Sequence, residues 1–359
     1  MILDAHLQDL ETENLVRDDA LISTMLGVEA ALARVQGRLG VIPGEAAAQI
    51  DKVAKTLKVD TVLLSEAVIR DGVPTTALLA RLSEALSPDH RDHIHWGVTS
   101  QDIVDTAMML IIKKAMALFE QRLVHIVNDL AVLADSHRGT VLAARTRNQQ
   151  AVPTTLGLKI AGWIAPLQRH RLRLGHLEYC LQFGGAGGTL AALGPKGLDV
   201  AAALAAELQL SLPPLPWHNQ RDYVLEIANW LAGVSGSLGK MAGDILMLAQ
   251  TEVGEVRLLG AGGSSAMPQK NNPVLAEVVP ALARRNAGLL STMHQSVLHH
   301  HERDGAAWTL EWFTLPDMIR TTSASLLHGL AITQSIEADK TAMNNNLTPG
   351  LLAEATTYA

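Results

Sequence analysis

The sequence of 359 residues contains a single cysteine, Cys180. One thiol cannot form an internal disulfide, and it leaves too few thiolates for a cysteine-based zinc site. A disulfide-stabilised secreted domain is therefore excluded. We expect the protein to lie in a reducing cytoplasm.

The sequence also lacks an excess of basic residues, since its formal net charge is −7. This charge argues against a general affinity for nucleic acid or for acidic membranes. Residues 1–6 lack the basic flank and apolar core of a signal peptide, and no apolar run reaches membrane-spanning length without charges or glycine clusters. We expect no nucleic-acid partner and no membrane insertion, and an anionic substrate would need a local cluster of Arg and Lys.

Runs of alternating β-branched residues are missing too, so no sheet of consequence is predicted. Helical periodicity instead extends over five long segments, residues 102–136, 153–181, 221–257, 273–301 and 306–336. The prediction is an all-α fold built on a long five-helix bundle. Pro166, Pro280 and Pro316 fall inside three of these segments, and each is predicted to kink its helix rather than end it.

Three regions of the chain are predicted. Residues 1–94 carry shorter helical patterns, at 21–39, 45–57 and 75–86, and form a small N-terminal helical domain. Residues 95–338 form the bundle. Residues 339–359, which include three consecutive asparagines and a Pro-Gly pair, are predicted to be a short, weakly structured C-terminal tail.

The segment at 260–273, Gly-Ala-Gly-Gly-Ser-Ser-Ala-Met-Pro-Gln-Lys-Asn-Asn-Pro, joins two of the long helical patterns. Its glycines allow backbone N–H groups to turn inward as an anion-binding nest, beside two hydroxyls and an ammonium. Asn272 and Pro273 fit an N-cap and a first helical residue. A flexible Gly/Ser linker explains the composition equally well. The order of the residues decides between the two interpretations.

That order, Gly-Ser-Ser-x-Met-Pro-x-Lys-x-Asn-Pro, resembles the signature loop of the fumarase/aspartase superfamily at every fixed position. His-Trp-Gly-Val-Thr-Ser-Gln-Asp at 95–102 is similar to the superfamily's first shared region, although Thr99 and Asp102 also have the spacing of a capping box. Arg-Thr-Arg-Asn-Gln-Gln-Ala-Val-Pro at 145–153 resembles the second region. Arg147 stands where the superfamily commonly has a histidine, and an arginine stays protonated and mainly binds anions.

Two further segments resemble the lactone-forming cycloisomerase branch of this superfamily, residues 217–222 and 302–304. Individually these segments would be ordinary helix-end salt bridges. The resemblance implies an isomerase that needs no cofactor and acts on a small conjugated diene tricarboxylate. It also implies a reduced or absent third domain and a homotetramer with active sites shared between chains.

The resemblance assigns roles to particular residues. Ser264 would transfer the proton and Lys270 would stabilise the enediolate, with His95 and His218 as secondary candidates for proton transfer. The candidate substrate-binding residues are Thr99, Ser100, Gln101, Arg145, Arg147, Gln149, Arg221, Ser265, Met267, Asn272 and Arg303. No metal site is expected, because the consecutive residues His299, His300 and His301 point in different directions on a helix.

Helix length independently favours shared sites. Residues 102–136 would span roughly 50 Å, which separates Thr99 and Ser100 from the arginine loop at 145–150. A site built from both must take one of them from a neighbouring chain. Two alternatives stay open, a lyase of the adenylosuccinate or argininosuccinate type and an inactive helical scaffold. The presence of Ser264 and Lys270 disfavours the scaffold, and Arg147 favours the cycloisomerase over the lyases.

Overall fold

The computed structural model describes residues 2–260, 262–263, 267 and 270–352. Within them the chain is dominated by helices, as predicted. The α-helices are α1 (Leu10–Val16), α2 (Asp18–Arg38), α3 (Gly44–Thr56), α4 (Thr61–Asp71), α5 (Thr75–Glu84), α6 (Pro88–Arg91), α7 (Ser100–Ser136), α8 (Leu156–Leu174), α9 (Gly197–Leu208), α10 (Asp222–Leu248), α11 (Val274–Ser296), α12 (Gly305–Ser335) and α13 (Lys340–Asn345). Short 3-10 helices lie at Ile2–Leu7, Ala191–Lys196 and Pro349–Leu352.

The strands of the described chain form three small two-stranded antiparallel pairs. They are β1 (Val141–Thr146) with β2 (Gln149–Thr155), β3 (Val256–Leu258) with β6 (Ile336–Ala338), and β4 (Gly262–Gly263) with β5 (Asn271–Asn272). The all-α expectation is confirmed. No helix in the described ranges combines the length and apolar character that a bilayer crossing requires.

The five long helices are α7, α8, α10, α11 and α12, and their directions follow from the side chains that join them. Arg221, at the start of α10, and Glu311, in the first turns of α12, both meet near Asp105 at the start of α7. Thr333, near the end of α12, donates to Asp129, near the end of α7. α7, α10 and α12 therefore run parallel.

α8 and α11 run the opposite way. Trp163 of α8 donates to Asp244 late in α10, whereas the later His170 of α8 meets Ser237. On α11, Asn286 donates to Ser235 of α10 and to Thr322 of α12, at 2.7 and 2.8 Å, whereas the earlier Ala283 of α11 lies against the later Gly239 of α10. Because buried polar groups need hydrogen-bond partners, the contact of Asn286 fixes the register of three helices.

Two clusters of buried apolar side chains form the core. The larger lies among the long helices and includes Phe119, Trp217 and the buried Cys180. The smaller cluster contains side chains from the four helices α2, α3, α4 and α5, from the start of α7 and from α12, which contributes Trp308. α2 contributes to both clusters, so the N-terminal helices pack directly on the bundle. The domain boundary at residue 94 stays a prediction.

Several element boundaries differ from the predictions. Residues 153–155 lie in strand β2 rather than in a helix, and α8 begins only at Leu156. α10 ends at Leu248 instead of continuing to 257, because residues 256–258 pair with β6. The periodicity did not predict α4 or α9. Pro166, Pro280 and Pro316 lie inside α8, α11 and α12, as predicted.

The expectation of a weakly structured tail was wrong for residues 340–345, which form α13. Asp339 caps this helix by accepting from the N–H of Ala342, and Met343 is fully buried. Gln150 of β2 donates to the carbonyl of Asn346 and accepts from Thr348. The tail is thus attached to the β1–β2 hairpin, while residues 353–359 lie outside the described chain.

Candidate active site

The first candidate group lies at the start of α7. Thr99 is the N-cap of this helix, and Asp102 accepts its N–H at 3.0 Å, which confirms the predicted capping box. Ser100 opens the helix and accepts a hydrogen bond from Thr75 at 2.5 Å. The start of α7 is therefore held rigidly, with Thr99 and Ser100 at its end.

Asp102 is a buried carboxylate enclosed by donors. Besides Thr99, it accepts from the backbone N–H groups of Gly184 and Gly185, at 3.0 and 2.8 Å, and from His218 Nε2 at 2.8 Å. Gly185 has a φ of +69°, and a Cβ on Gly184 would lie 2.8 Å from Pro216. The glycine-rich segment after α8 thus approaches Asp102 through its backbone. Nε2 of His218 is engaged, which leaves Nδ1 as the other ring nitrogen.

Arg221 lies in a buried cluster beside this group. Its guanidinium donates to Asp105 at 2.7 Å and to Glu311 at 2.6 Å, and it stacks on Trp217, 4.6 Å from the ring centroid. Burial opposes the charge, but the two carboxylates raise the pKa of Arg221 above its usual value. Arg221 therefore stabilises the fold, because protein carboxylates compensate its charge, and its expected role in binding a substrate carboxylate stays a prediction.

Arg303 and Gln101 form the more open side of the same end. Arg303 Nε donates to Gln101 Oε1 at 3.0 Å, and its Nη2 donates to the carbonyl of Ala186 at 3.2 Å. Gln101 is fully buried and donates to Asp105 and to the carbonyl of His218. Arg303 itself is exposed. Of the two predicted arginines at this end, Arg303 is the one that solvent or a ligand can reach.

His95 completes this group from the loop before α7. Its Nδ1 lies 2.6 Å from the carboxylate of Glu29 on α2. Burial alone would lower the pKa of His95, but the Glu29 carboxylate, with a smaller contribution from Asp102, raises it above 6.5. His95 also has a φ of +53°, a conformation that non-glycine residues rarely adopt.

The second candidate group lies at the far end of α7, on the β1–β2 hairpin. Arg145 donates to both oxygens of Glu255, at 2.9 and 2.7 Å, and Asn346 donates to the same carboxylate. This hydrogen-bonded pair raises the pKa of Arg145. The charge of Arg145 is therefore compensated by a fully buried protein carboxylate, and its expected role in binding substrate stays a prediction.

Arg147 and Gln149 of the hairpin remain open. Arg147 and Asn148 form the two-residue turn, with φ values of +52° and +64°. Positive φ at both positions is the geometry of a type I′ hairpin turn. Arg147 and Gln149 are exposed. The turn therefore presents a cation away from the hairpin, at the opposite end of α7 from Thr99.

The signature loop is described in part. Ser264 and Ser265 lie outside the described residues, whereas Met267 and Lys270 are described and exposed. Gly262 and Gly263, two residues of the expected nest, are strand residues that pair with β5, and the nest as a whole stays a prediction because its two serines are not described. Asn272 is likewise a strand residue rather than an N-cap, and α11 begins at Val274 after Pro273.

The histidine run lies between α11 and α12. His299 is buried without a hydrogen bond to either ring nitrogen, and His300 pairs with Asp304 at 2.6 Å. His301 has a φ of +53°. No group of three His, Cys, Asp or Glu residues in the described chain is arranged to hold a metal ion.

The sequence did not predict the carboxylates that pair with candidate site residues at the two ends of α7: Glu29, Asp105, Glu255 and Glu311. Each pairs with a residue at least 66 positions away, so no local spacing reveals the contact. One signal was available for Glu29, which interrupts an apolar stretch on α2. A charged residue there is seldom fully buried unless it is paired.

Comparison with known proteins gives consistent matches. A lyase family model matches residues 5–288. A 3-carboxy-cis,cis-muconate cycloisomerase from Pseudomonas aeruginosa is 42% identical, covering 100% of this chain and 81% of that protein. The crystal structure of 3-carboxy-cis,cis-muconate lactonizing enzyme from Pseudomonas putida is 40% identical with a TM-score of 0.95, covering 99% of this chain and 82% of that one. A fumarate lyase structure from Mesorhizobium sp. BNC1 is 36% identical with a TM-score of 0.92, covering 98% and 82% respectively.

Proposed function

This chain belongs to the lyase family within the fumarase/aspartase superfamily, and on that basis we propose that it converts 3-carboxy-cis,cis-muconate to 4-carboxymuconolactone. The observation that carries the proposal is the similarity, over all or nearly all of this chain, to proteins with this activity in their names. The reaction would belong to the protocatechuate branch of the β-ketoadipate pathway. We place the enzyme in the cytoplasm.

The proposed reaction is an internal addition that consumes one proton. One ionised carboxylate forms a C–O bond to a carbon of the diene, and the π pair of that double bond moves onto the activating carboxylate. The neighbouring carbon then takes a proton from the enzyme's acid, which regains one from solvent. The unstable species is an enediolate on the activating carboxylate, which a nearby cation stabilises. Lys270 would supply this cation, and Ser264 would transfer the proton. A serine hydroxyl needs such stabilisation because it is otherwise a weak acid and a weak base.

The remaining carboxylates of the substrate would be held by groups that the protein leaves accessible. These are Thr99, Ser100 and Arg303 at the start of α7, Arg147 and Gln149 on the hairpin, and Met267 and Asn272 of the signature loop. Gln101, which is buried and holds Arg303, and Ser265, which lies outside the described residues, are candidates by resemblance. Arg145 and Arg221 are candidates by resemblance alone, since each is paired with a buried protein carboxylate. His218, held by Asp102, remains a secondary candidate for proton transfer.

We further propose a homotetramer whose active sites combine several chains. α7 has 37 residues, which corresponds to about 55 Å. Thr99 lies at one end of this helix. The hairpin lies near the other, where Arg145 pairs with Glu255 just before β3, and we place the signature loop, which follows β3 in the chain, at that end too. A site that needs both ends must receive them from different chains, which closed symmetry allows.

The reaction is tested by ultraviolet spectroscopy with 3-carboxymuconate as substrate. Loss of the diene absorbance, with lactone as the product, supports the proposal. An unchanged spectrum with a folded tetramer would remove it.

Shared sites are tested by complementation. Ser264→Ala and Thr99→Ala/Ser100→Ala proteins should each be inactive, and unfolding and refolding them together should restore part of the activity. Mixed oligomers then contain some sites with both motifs intact. Mixed oligomers that stay inactive would show that each site comes from one chain.

A further inference from the structure

The buried carboxylates of this protein differ in the kind of cation that they meet. Asp9 pairs with Arg122, Glu255 with Arg145, and Glu311 with Arg221. These pairs keep their charges at any ordinary pH, because arginine does not lose its proton. Glu29 is different, since its ion-pair partner is the titratable ring of His95.

Glu29 depends on this partner. Its side chain is 1% exposed, and no arginine or lysine in the described part of the chain forms an ion pair with it. Asp102 also meets a histidine, but it accepts from four further N–H groups. The charge on Asp102 is therefore stabilised whether or not His218 is protonated. An ionised Glu29 in its buried site instead favours a protonated His95.

α2 holds the His95 segment at two points. Gln36 lies seven residues after Glu29, on the same face of the helix, and both side chains are buried. Gln36 Nε2 donates to the carbonyl of Trp96 at 2.7 Å. The ring of His95 and the carbonyl of the next residue are thus fixed by one helix. This support maintains the left-handed backbone at His95, which is otherwise unfavourable.

The contact between Glu29 and His95 decides which ring nitrogen of His95 is available to a ligand. Nδ1 of His95 donates to Glu29, so Nε2 is the remaining nitrogen. The side chain keeps 17% exposure and lies four residues before Thr99, the cap of α7. A protonated His95 therefore carries its second N–H near the start of α7, where Thr99, Ser100 and Arg303 also lie.

We propose that Glu29 is a positioning residue that keeps His95 protonated, so that Nε2–H of His95 binds a substrate carboxylate. This inference rests on the cycloisomerase function proposed above. It adds a fourth cation to the exposed Arg147, Lys270 and Arg303, whereas Arg145 and Arg221 are paired with protein carboxylates. His95 is then a binding residue of the site, and Glu29 acts through it.

The pH dependence has a defined sign. The charged groups that face His95 are Glu29 from α2 and Asp102 from α7, and both favour the imidazolium. The cation is present below the raised pKa of His95 and is lost as the pH rises through it. The KM for the substrate should therefore increase on the alkaline side of that pKa, while kcat changes less.

The test compares Glu29→Gln with the wild-type protein. Glutamine keeps the size and hydrogen-bonding capacity of the side chain but removes its charge. Imidazole NMR would follow the titration of His95, with its signal identified among the 14 histidines by its absence in His95→Gln. We expect the pKa of His95 to fall by about one unit or more. The alkaline rise in KM should move down by the same amount, so that at the wild-type pKa a shift of one unit raises KM about fivefold over the wild-type value.

Two further variants separate charge from packing. Gln36→Met removes the second contact of α2 with this segment and should lower stability without moving the pKa of His95. Glu29→Asp keeps the charge and should return the KM profile toward that of the wild type. Thermal unfolding of each variant checks that it is folded.

Two results would overturn the proposal: a His95 pKa that is unchanged in Glu29→Gln, or a pKa that falls while the KM profile stays in place. A wild-type protein without turnover would instead overturn the cycloisomerase function, and the substrate role of His95 with it. The NMR titration needs no substrate, so it would still decide whether Glu29 sets the protonation of His95.

Discussion

At both ends of the bundle, two arginines of the candidate site differ in what they contact. At the start of α7, Arg221 is buried between Asp105 and Glu311, and Arg303 is exposed. At the far end, Arg145 is paired with Glu255, and Arg147 is exposed on the hairpin turn. Each end thus combines one arginine that stabilises the fold with one that a ligand can reach. The motif that contains an arginine does not reveal which role it has.

Removing the reacting group should have the largest effect. Ser264→Ala should reduce turnover by about 10⁴-fold, or about 5.4 kcal/mol, because it removes the proposed proton carrier. Substrate affinity should stay within about tenfold, since no charge is lost. Steady-state kinetics of the folded variant measures both quantities. Near-normal turnover would transfer the role to Ser265 or to a histidine.

Removing the buried arginine should instead affect stability. Arg221→Met leaves Asp105 and Glu311 without their cation and should lower the free energy of unfolding by about 3–5 kcal/mol. Arg145→Met is the matched variant at the other end. It should cost less, about 2 kcal/mol, because Glu255 keeps its hydrogen bond from Asn346 and Arg145 is partly exposed. Denaturant titration of both variants provides the comparison, and equal losses would contradict it.

Changing an exposed arginine should affect binding alone. Arg147→His replaces a fixed cation with a ring that is mostly neutral at neutral pH, and it should raise KM about tenfold, or about 1.4 kcal/mol. The unfolding free energy should be unchanged, because Arg147 is exposed on a turn. If KM stayed at the wild-type value, Arg147 would lie outside the site.

The smallest effect is expected for an arginine that belongs to neither class. Arg138 follows α7 and pairs at 3.1 Å with Asp135, and both side chains are more than 70% exposed. Arg138→Ala should change the unfolding free energy by less than about 0.5 kcal/mol, with unchanged kinetics. A larger loss of unfolding free energy, or a change in the kinetics, would show that surface charge near the hairpin matters more than the buried ion pairs there indicate.

The long helices could be predicted because their signals are local. Apolar periodicity gave the bundle, and the Thr99–Asp102 spacing gave the start of α7 within the capping box that is observed. The hairpin was missed although Val141 and Val152 are β-branched, because the turn depends on two residues with positive φ, Arg147 and Asn148. Only asparagine among these two is a usual residue for that conformation.

The motifs of the candidate site could be predicted from the sequence, but the ion pairs that their arginines form could not. Spacing and resemblance selected Arg145 and Arg221 as cations, but their partners Glu255, Asp105 and Glu311 come from distant parts of the chain. Whether an arginine binds substrate or stabilises the fold depends on such long-range contacts. That distinction was therefore available only from the structure.

The burial of Cys180 has a practical consequence for labelling chemistry. Burial raises the pKa of its thiol to about 11, so at neutral pH it is protonated and shielded from alkylating reagents. An introduced surface cysteine, such as Arg138→Cys, should be labelled selectively without first replacing the native one. Spin labels at the two ends of α7 could then measure distances between chains on an otherwise unaltered protein.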